Sequence, residues 1–105
     1  MREQFIFLLL ALSLTGVMPT AAKADEAIAQ KAGCLGCHAV GKKIVGPPYR
    51  DVAAKYRDNP FATSILSAKV RNGAGKRQPI PMPPHDQQKI SDADLKTVIE
   101  WILKQ

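Results

Sequence analysis

The sequence predicts a small all-α protein, and three observations predict it. Apolar residues recur at helical spacing in several short segments. Gly and Pro punctuate the chain between them, and no stretch alternates long enough to make a useful strand. At 105 residues the chain holds one domain and no more.

The first element is expected to be removed. Residues Phe5 to Val17 (FIFLLLALSLTGV) form a largely apolar stretch of 13, short of the roughly 20 needed to cross a bilayer as a helix. Arg2 stands before it, Pro19 breaks it, and Ala22-Lys23-Ala24 offers a small-x-small cleavage site. Residues 1–24 therefore read as a cleavable export signal and 25–105 as the mature domain, with Ala22 a second cleavage point. The other reading is an uncleaved anchor, which the short span disfavours.

Asp25 is placed to cap a first helix running to about Ala32, with Ala27, Ile28 and Ala32 on one face and Gly33 ending it. Ala39 to Pro48 reads as a loop. Tyr49 to Arg57 reads as a short helix with Val52, Ala53 and Tyr56 sharing a face. Asp58-Asn59-Pro60 is a restart signal for a helix from Phe61 to about Asn72, burying Ile65 and Leu66. Gly73 to Lys89 contains Pro79, Pro81, Pro83 and Pro84, which leaves no regular element there. Ser91-Asp92-Ala93-Asp94 resembles a capping box with Asp in place of Glu. The helix after it carries Leu95, Val98, Ile99, Ile102 and Leu103 at i, i+3, i+4, i+7 and i+8.

A domain this small is short of core, and the mature part has only Tyr49, Tyr56, Phe61 and Trp101 as aromatics. Two cysteines exclude a disulfide-rich scaffold, length excludes a large multi-step enzyme, and hydropathy excludes a multi-spanning membrane protein. Losing Arg2, Lys23 and Glu3 with the signal lowers the net charge from +6 to +5. In an exported protein that favours acidic partners or anionic surfaces, and nucleic acid is not expected.

The residues that carry chemistry are Cys34-x-x-Cys37-His38, the attachment pattern of a c-type haem. Two thiols three residues apart can each form a thioether to one vinyl group of a single porphyrin. His38 then projects under the iron as the proximal ligand, and the haem supplies the missing core. An electron-transfer haem needs a second axial ligand, and a Met thioether raises the potential by favouring ferrous iron. The mature chain has one methionine, Met82, inside the stiff run Pro79-Ile80-Pro81-Met82-Pro83-Pro84.

The same residues admit other readings. Cys34 and Cys37 could form a redox dithiol or a disulfide, but the strand-rich scaffold of a thioredoxin is absent. Zinc on Cys34, Cys37, His38 and His85 lacks the usual His-pair spacing. Met82 could fill a gap in packing, His85 competes with it as a ligand, and an open coordination site would make an enzyme or sensor. Trp101, Tyr49 and Tyr56 read as core residues.

The sequence resembles the short bacterial class I cytochromes c, periplasmic monohaem carriers of respiratory and denitrifying chains. The resemblance rests on the haem motif with Gly33 before it, on Val45-Gly46-Pro47-x-Tyr49-x-Asp51-Val52-Ala53-x-Lys55-Tyr56, and on Lys69-Val70-Arg71-Asn72-Gly73. It continues through the Pro79–Pro84 run and Trp101-Ile102-Leu103. It implies a class I cytochrome c fold, about four to five short helices wrapped round one covalently attached haem. It implies that the Pro47 carbonyl accepts a hydrogen bond from the far nitrogen of His38, fixing the ring. Lys69 falls where the family often has an Arg on a haem propionate, a weaker role for Lys because it lacks the bidentate fork.

Three departures stand out. The family's Trp in the loop before Met82 is missing, where this chain has Gly75-Lys76-Arg77-Gln78, and Lys76 or Arg77 is the substitute partner for the propionate. The family's Asn three residues after Met82 is His85 here, and residues 85–90 run a few residues long. His85 is expected near the haem rim, where its titration makes the potential pH-dependent.

The expectation is thus an exported electron carrier, not an enzyme, cycling one electron at a haem c ligated by His38 and Met82. A monomer in the periplasm is expected, not inserted in the membrane after signal cleavage. By resemblance its partners are a quinol-oxidising complex upstream and a reductase, oxidase or peroxidase downstream. Lys31, Lys42, Lys43, Lys76 and Arg77 are the candidates for steering them.

Overall fold

The computed structural model describes residues 15, 16 and 21–105. Helices α1 (Ala21–Lys31), α2 (Tyr49–Tyr56), α3 (Ala62–Asn72) and α4 (Asp92–Leu103) follow one another, with a single 3-10 turn at Cys34–Gly36 after α1. The fold is all-α, as the periodicity predicts. Among the described residues the one β-type pairing is an isolated antiparallel bridge between Ala74 and Met82, which the proline-rich sequence did not suggest. Most of the apolar segment 5–17 lies outside the described residues. Among those described, no helix is long and apolar enough to cross a membrane.

α4 is the centre of the molecule, and α1, α2 and α3 each pack against it. Its start is fixed by Ser91, whose Oγ accepts the Asp94 N–H at 3.2 Å. Leu95, Val98, Ile99 and Ile102 are buried as their spacing predicts, and Trp101 joins them. Three helices crowding one helix widen its apolar face beyond a single stripe. Each fully buried side chain of this kind is worth roughly 1.5–3 kcal/mol, so α4 holds the fold together. Arg57, just after α2, ties off its far end by donating Nη2 to the Gln105 carbonyl at 2.7 Å.

Two helix starts and one buried face differ from the expectation. α1 begins at Ala21, so Asp25 lies inside the helix and does not cap it. Ala21, Ala22 and Ala24 are strong helix formers and extend the helix backwards. The residue α1 buries completely is Ala29, while Ile28 and Ala32 are partly buried and Ala27 is exposed. α3 begins at Ala62 because Asn59, not Pro60, organises its entry: Asn59 Oδ1 accepts the Phe61 N–H at 2.8 Å, and its carbonyl accepts that of Ala62 at 3.0 Å.

The long segment between α3 and α4 is irregular, as its prolines require, and it is held by a bridge within itself and by a backbone bond to α3. Ala74 and Met82 exchange backbone hydrogen bonds, with the N–H of Ala74 donating at 3.1 Å and that of Met82 at 2.9 Å. The His85 N–H donates to the Val70 carbonyl at 2.9 Å.

Candidate functional site

Cys34, Cys37 and His38 are brought together by one tight turn. The Cys34 carbonyl accepts the N–H of Cys37 at 3.2 Å and of His38 at 3.0 Å. The following loop then folds back on the turn, with the N–H groups of Val45 and Gly46 both donating to the Cys37 carbonyl, at 3.3 and 2.7 Å. That return sets the Pro47 carbonyl oxygen 2.8 Å from Nδ1 of His38. A carbonyl can only accept, so Nδ1 carries the proton and the ring's lone pair is left on Nε2.

Gly46 is read from sequence as loop punctuation, but it has a steric role. A β-carbon there would stand 2.7 Å from Nδ1 and 2.8 Å from Nε2 of His38, closer than real side chains approach. Only glycine lets the loop close this near the imidazole. Tyr49 stacks on the same ring, with centroids 4.9 Å apart and planes 15° from parallel. Tyr49 in turn meets Trp101 edge-on at 5.6 Å. A line of packed rings therefore runs from the α4 core to His38 and fixes its orientation.

Both thiols are unpaired. Burial pushes the Cys34 thiol above its ordinary pKa. Burial, followed by the nearby Cys34, pushes the Tyr49 hydroxyl above the usual phenol range. Both groups are neutral at ordinary pH.

Met82 belongs to the long segment after α3, where its backbone is held by the bridge to Ala74. The close pass depends on Gly73, at φ 81°, where a β-carbon would stand 2.8 Å from the Met82 carbonyl oxygen. The positive φ and the lack of room both call for glycine here.

Cys34, Cys37, His38 and Met82 all line one cavity of about 1120 Å³, above the range of about 300–1,000 Å³ usual for small-molecule pockets. Leu66 and Val70 of α3 and Val98, Ile99 and Ile102 of α4 wall it with apolar side chains. Of the four large apolar side chains exposed among the described residues, three line this cavity: Ile44, Val45 and Ile80, the last 65 % exposed. Exposed apolar groups gathered round one opening mark a binding surface. A large, flat, apolar group with two vinyl groups and an iron fits this donor set of two thiols, one imidazole and one thioether. The residues present fit the haem that the motif predicts.

The remaining expectations divide. Pro47, Lys69 and His85 line the cavity, and Nδ1 of His85 is buried with no hydrogen-bond partner. Lys43 lines it too, but Lys31 lies in a separate cleft between α1 and residues 87–91, because the last turn of α1 faces that loop. Lys76 and Arg77 are exposed between the lining residues Gly75 and Gln78 and do not line it themselves. Lys55 was missed as a cavity residue, although Asp51, Val52, Lys55 and Tyr56 fall on one face of α2 at helical spacing. The four-residue zinc set is not assembled, for no three of His, Cys, Asp and Glu converge as metal ligands among the described residues.

Residues 22–105 match the family model described as cytochrome c. Cytochrome c-551 of Allochromatium vinosum is 45% identical over 95 residues, covering 90% of this chain and 98% of that protein. The crystal structure of wild-type cytochrome c552 from Nitrosomonas europaea superposes with a TM-score of 0.66 at 41% identity, covering 75% of this chain and 96% of that one. The class 1 cytochrome MtoD from Sideroxydans lithotrophicus superposes with a TM-score of 0.68 at 29% identity, over 78% and 92% of the two chains.

Proposed function

The chain belongs to the cytochrome c family, and we propose that it passes single electrons through a haem whose iron is held by His38 and Met82. Membership makes it a small class I monohaem electron carrier and not an enzyme, with one covalently bound haem c and redox proteins as partners. The observation that carries the ligand assignment is the shared cavity. His38, with its far nitrogen engaged by Pro47, and Met82, held by its bridge to Ala74, line the same apolar space as both cysteines.

When bound, the haem supplies a one-electron couple between ferric and ferrous iron. Everything else is the work of the chain. Cys34 and Cys37 would tether it, one thioether from each thiol to one vinyl group. His38 offers Nε2 as a ligand of fixed orientation, because the Pro47 carbonyl and the Tyr49 ring leave it no freedom to turn. Met82 offers its thioether from a loop stiffened by prolines on both sides. That stiffness keeps the ligand set the same in both oxidation states. The apolar walls from α3 and α4 exclude water, and Lys69, which lines the cavity, would be the cation that meets a propionate.

Lys43, Lys55 and Lys69 line the cavity and supply positive charge beside it. They suit acidic docking faces on redox partners, and the family resemblance is what points to a quinol-oxidising complex as donor and a reductase, oxidase or peroxidase as acceptor. The periplasm is the proposed compartment, the chain acting there as a monomer after losing residues 1–24. The short apolar stretch 5–17, the Ala22-Lys23-Ala24 site and a family match that begins at residue 22 support that processing.

Mass spectrometry of the protein purified from periplasm tests the attachment. The expected mass is residues 25–105 plus one haem, with neither cysteine open to alkylation. Two alkylatable cysteines would overturn the assignment of Cys34 and Cys37.

A further inference from the structure

Three attachments flank Met82: its bridge to Ala74, just past the end of α3, the bond from the His85 N–H to the Val70 carbonyl, and a set built by Arg71, whose guanidinium spans the segment that follows Met82. Its Nη1 donates to the carbonyls of His85 at 3.2 Å and Ile90 at 2.8 Å, and its Nη2 donates to Asp92 Oδ1 at 2.6 Å. Gln87 Nε2 donates to the same carboxylate oxygen, also at 2.6 Å. One side chain thus joins the last turn of α3, both ends of the segment 85–90 and the start of α4.

We propose that Arg71 is the positioning residue that keeps Met82 at the haem iron, by latching the segment after Met82 shut against α3; this rests on the reading of Met82 as the ligand. The prolines make residues 79–84 stiff, so that run moves as one piece. Where the piece sits is then decided by what holds its ends. Residues 85–90 contain no proline and no helix, and their internal bonds are a local turn in which Asp86 accepts from the N–H groups of Gln88 and Lys89. That turn organises the segment without anchoring it. The Arg71 side chain is 21% exposed, against 78% for Asp92, so its bonds to the two carbonyls form at the better-sheltered end. Without it those carbonyls lose their partner, and a group of this kind is costly to leave unpaired.

The test uses the full haem-loaded protein as wild type, Arg71→Gln, Arg71→Lys and Asp92→Asn, with Met82→Ala as the reference for iron lacking its methionine. The readouts are the weak far-red band of the ferric form, carbon monoxide association with the ferrous form, and helix content by circular dichroism. If Met82→Ala leaves band and association unchanged, the ligand reading itself fails, whatever Arg71 does. With that reference behaving as a ligand loss, Arg71→Gln keeps its helices at room temperature but binds carbon monoxide roughly tenfold faster, the weight of one charge-assisted hydrogen bond. Its far-red band also disappears at lower denaturant concentration than its helix signal. Arg71→Lys falls between it and wild type, since one ammonium cannot span three acceptors. Should Arg71→Gln not fold, the exposed Asp92→Asn variant shows a smaller rise in the same direction. A wild-type association rate in Arg71→Gln (or in Asp92→Asn, where the first does not fold) overturns the proposal. So does loss of band and helix signal together, which marks Arg71 as a stabilising residue only.

Discussion

Gly46 lies so close to the imidazole of His38 that a β-carbon there would stand 2.7 Å from Nδ1 and 2.8 Å from Nε2. The same loop delivers the Pro47 carbonyl to Nδ1. Close approach and ring orientation are therefore one structural fact.

Gly46→Ala must push the ring or the loop away, because the atoms in the way are a ring held by stacking on Tyr49. The expected cost is about 1–3 kcal/mol of stability, typical of overpacking, together with a changed reduction potential as the bond to Pro47 lengthens. Gly36→Ala is the control, since a β-carbon at Gly36 meets nothing within 4 Å. Denaturant unfolding and potentiometry of both variants check this. Equal potentials and stabilities for the two would show that the close approach has no consequence.

Asp92 makes stability depend on pH in a definite direction. Hydrogen bonds from Arg71 and then Gln87 hold its carboxyl below the usual carboxylate range. A depressed folded pKa means the contribution is present above the unfolded pKa, about 3.9 for Asp, and is lost as pH falls through the folded value. Wild type should therefore unfold at higher denaturant than Asp92→Asn near neutral pH, and the gap should close in acid below that range. A gap that stays constant down to the lowest pH at which the protein folds would contradict the pairing.

The cavity-lining lysines predict a kinetic effect. Reversing Lys43, Lys55 and Lys69 to Glu should slow electron transfer with an acidic partner by on the order of tenfold at low salt and weaken its salt dependence. Lys31→Glu changes one charge in a separate cleft and should change the rate little. Stopped-flow measurements across ionic strength separate the two, and a slowing by Lys31→Glu as large as by any one of the three reversals made singly would mean that only net charge matters.

Helices were the most legible part of the molecule. The i, i+3, i+4 spacing of Leu95, Val98, Ile99 and Ile102 identifies α4 and its buried face, and the haem motif points to the cofactor before any coordinate. What could not be read was whatever depends on how loops return. Gly46 looks like any turn glycine until the chain closes on His38. The Arg71 contacts join residues 14 to 21 positions apart through an irregular segment with no period to follow. Lys31 looked equivalent to Lys43 because linear charge carries no direction. Lys55, by contrast, was within reach, since helical spacing alone sets it beside Val52 and Tyr56.

Iron ligation by Met82 is the central claim, and the optical spectrum of Met82→Ala beside wild type measures it most directly. Wild type should show a weak far-red band when oxidised and only slow association with carbon monoxide when reduced. Met82→Ala should lose that band, bind carbon monoxide faster and shift in potential, while keeping its covalent haem. A variant with an unchanged band, potential and carbon monoxide behaviour would contradict the account.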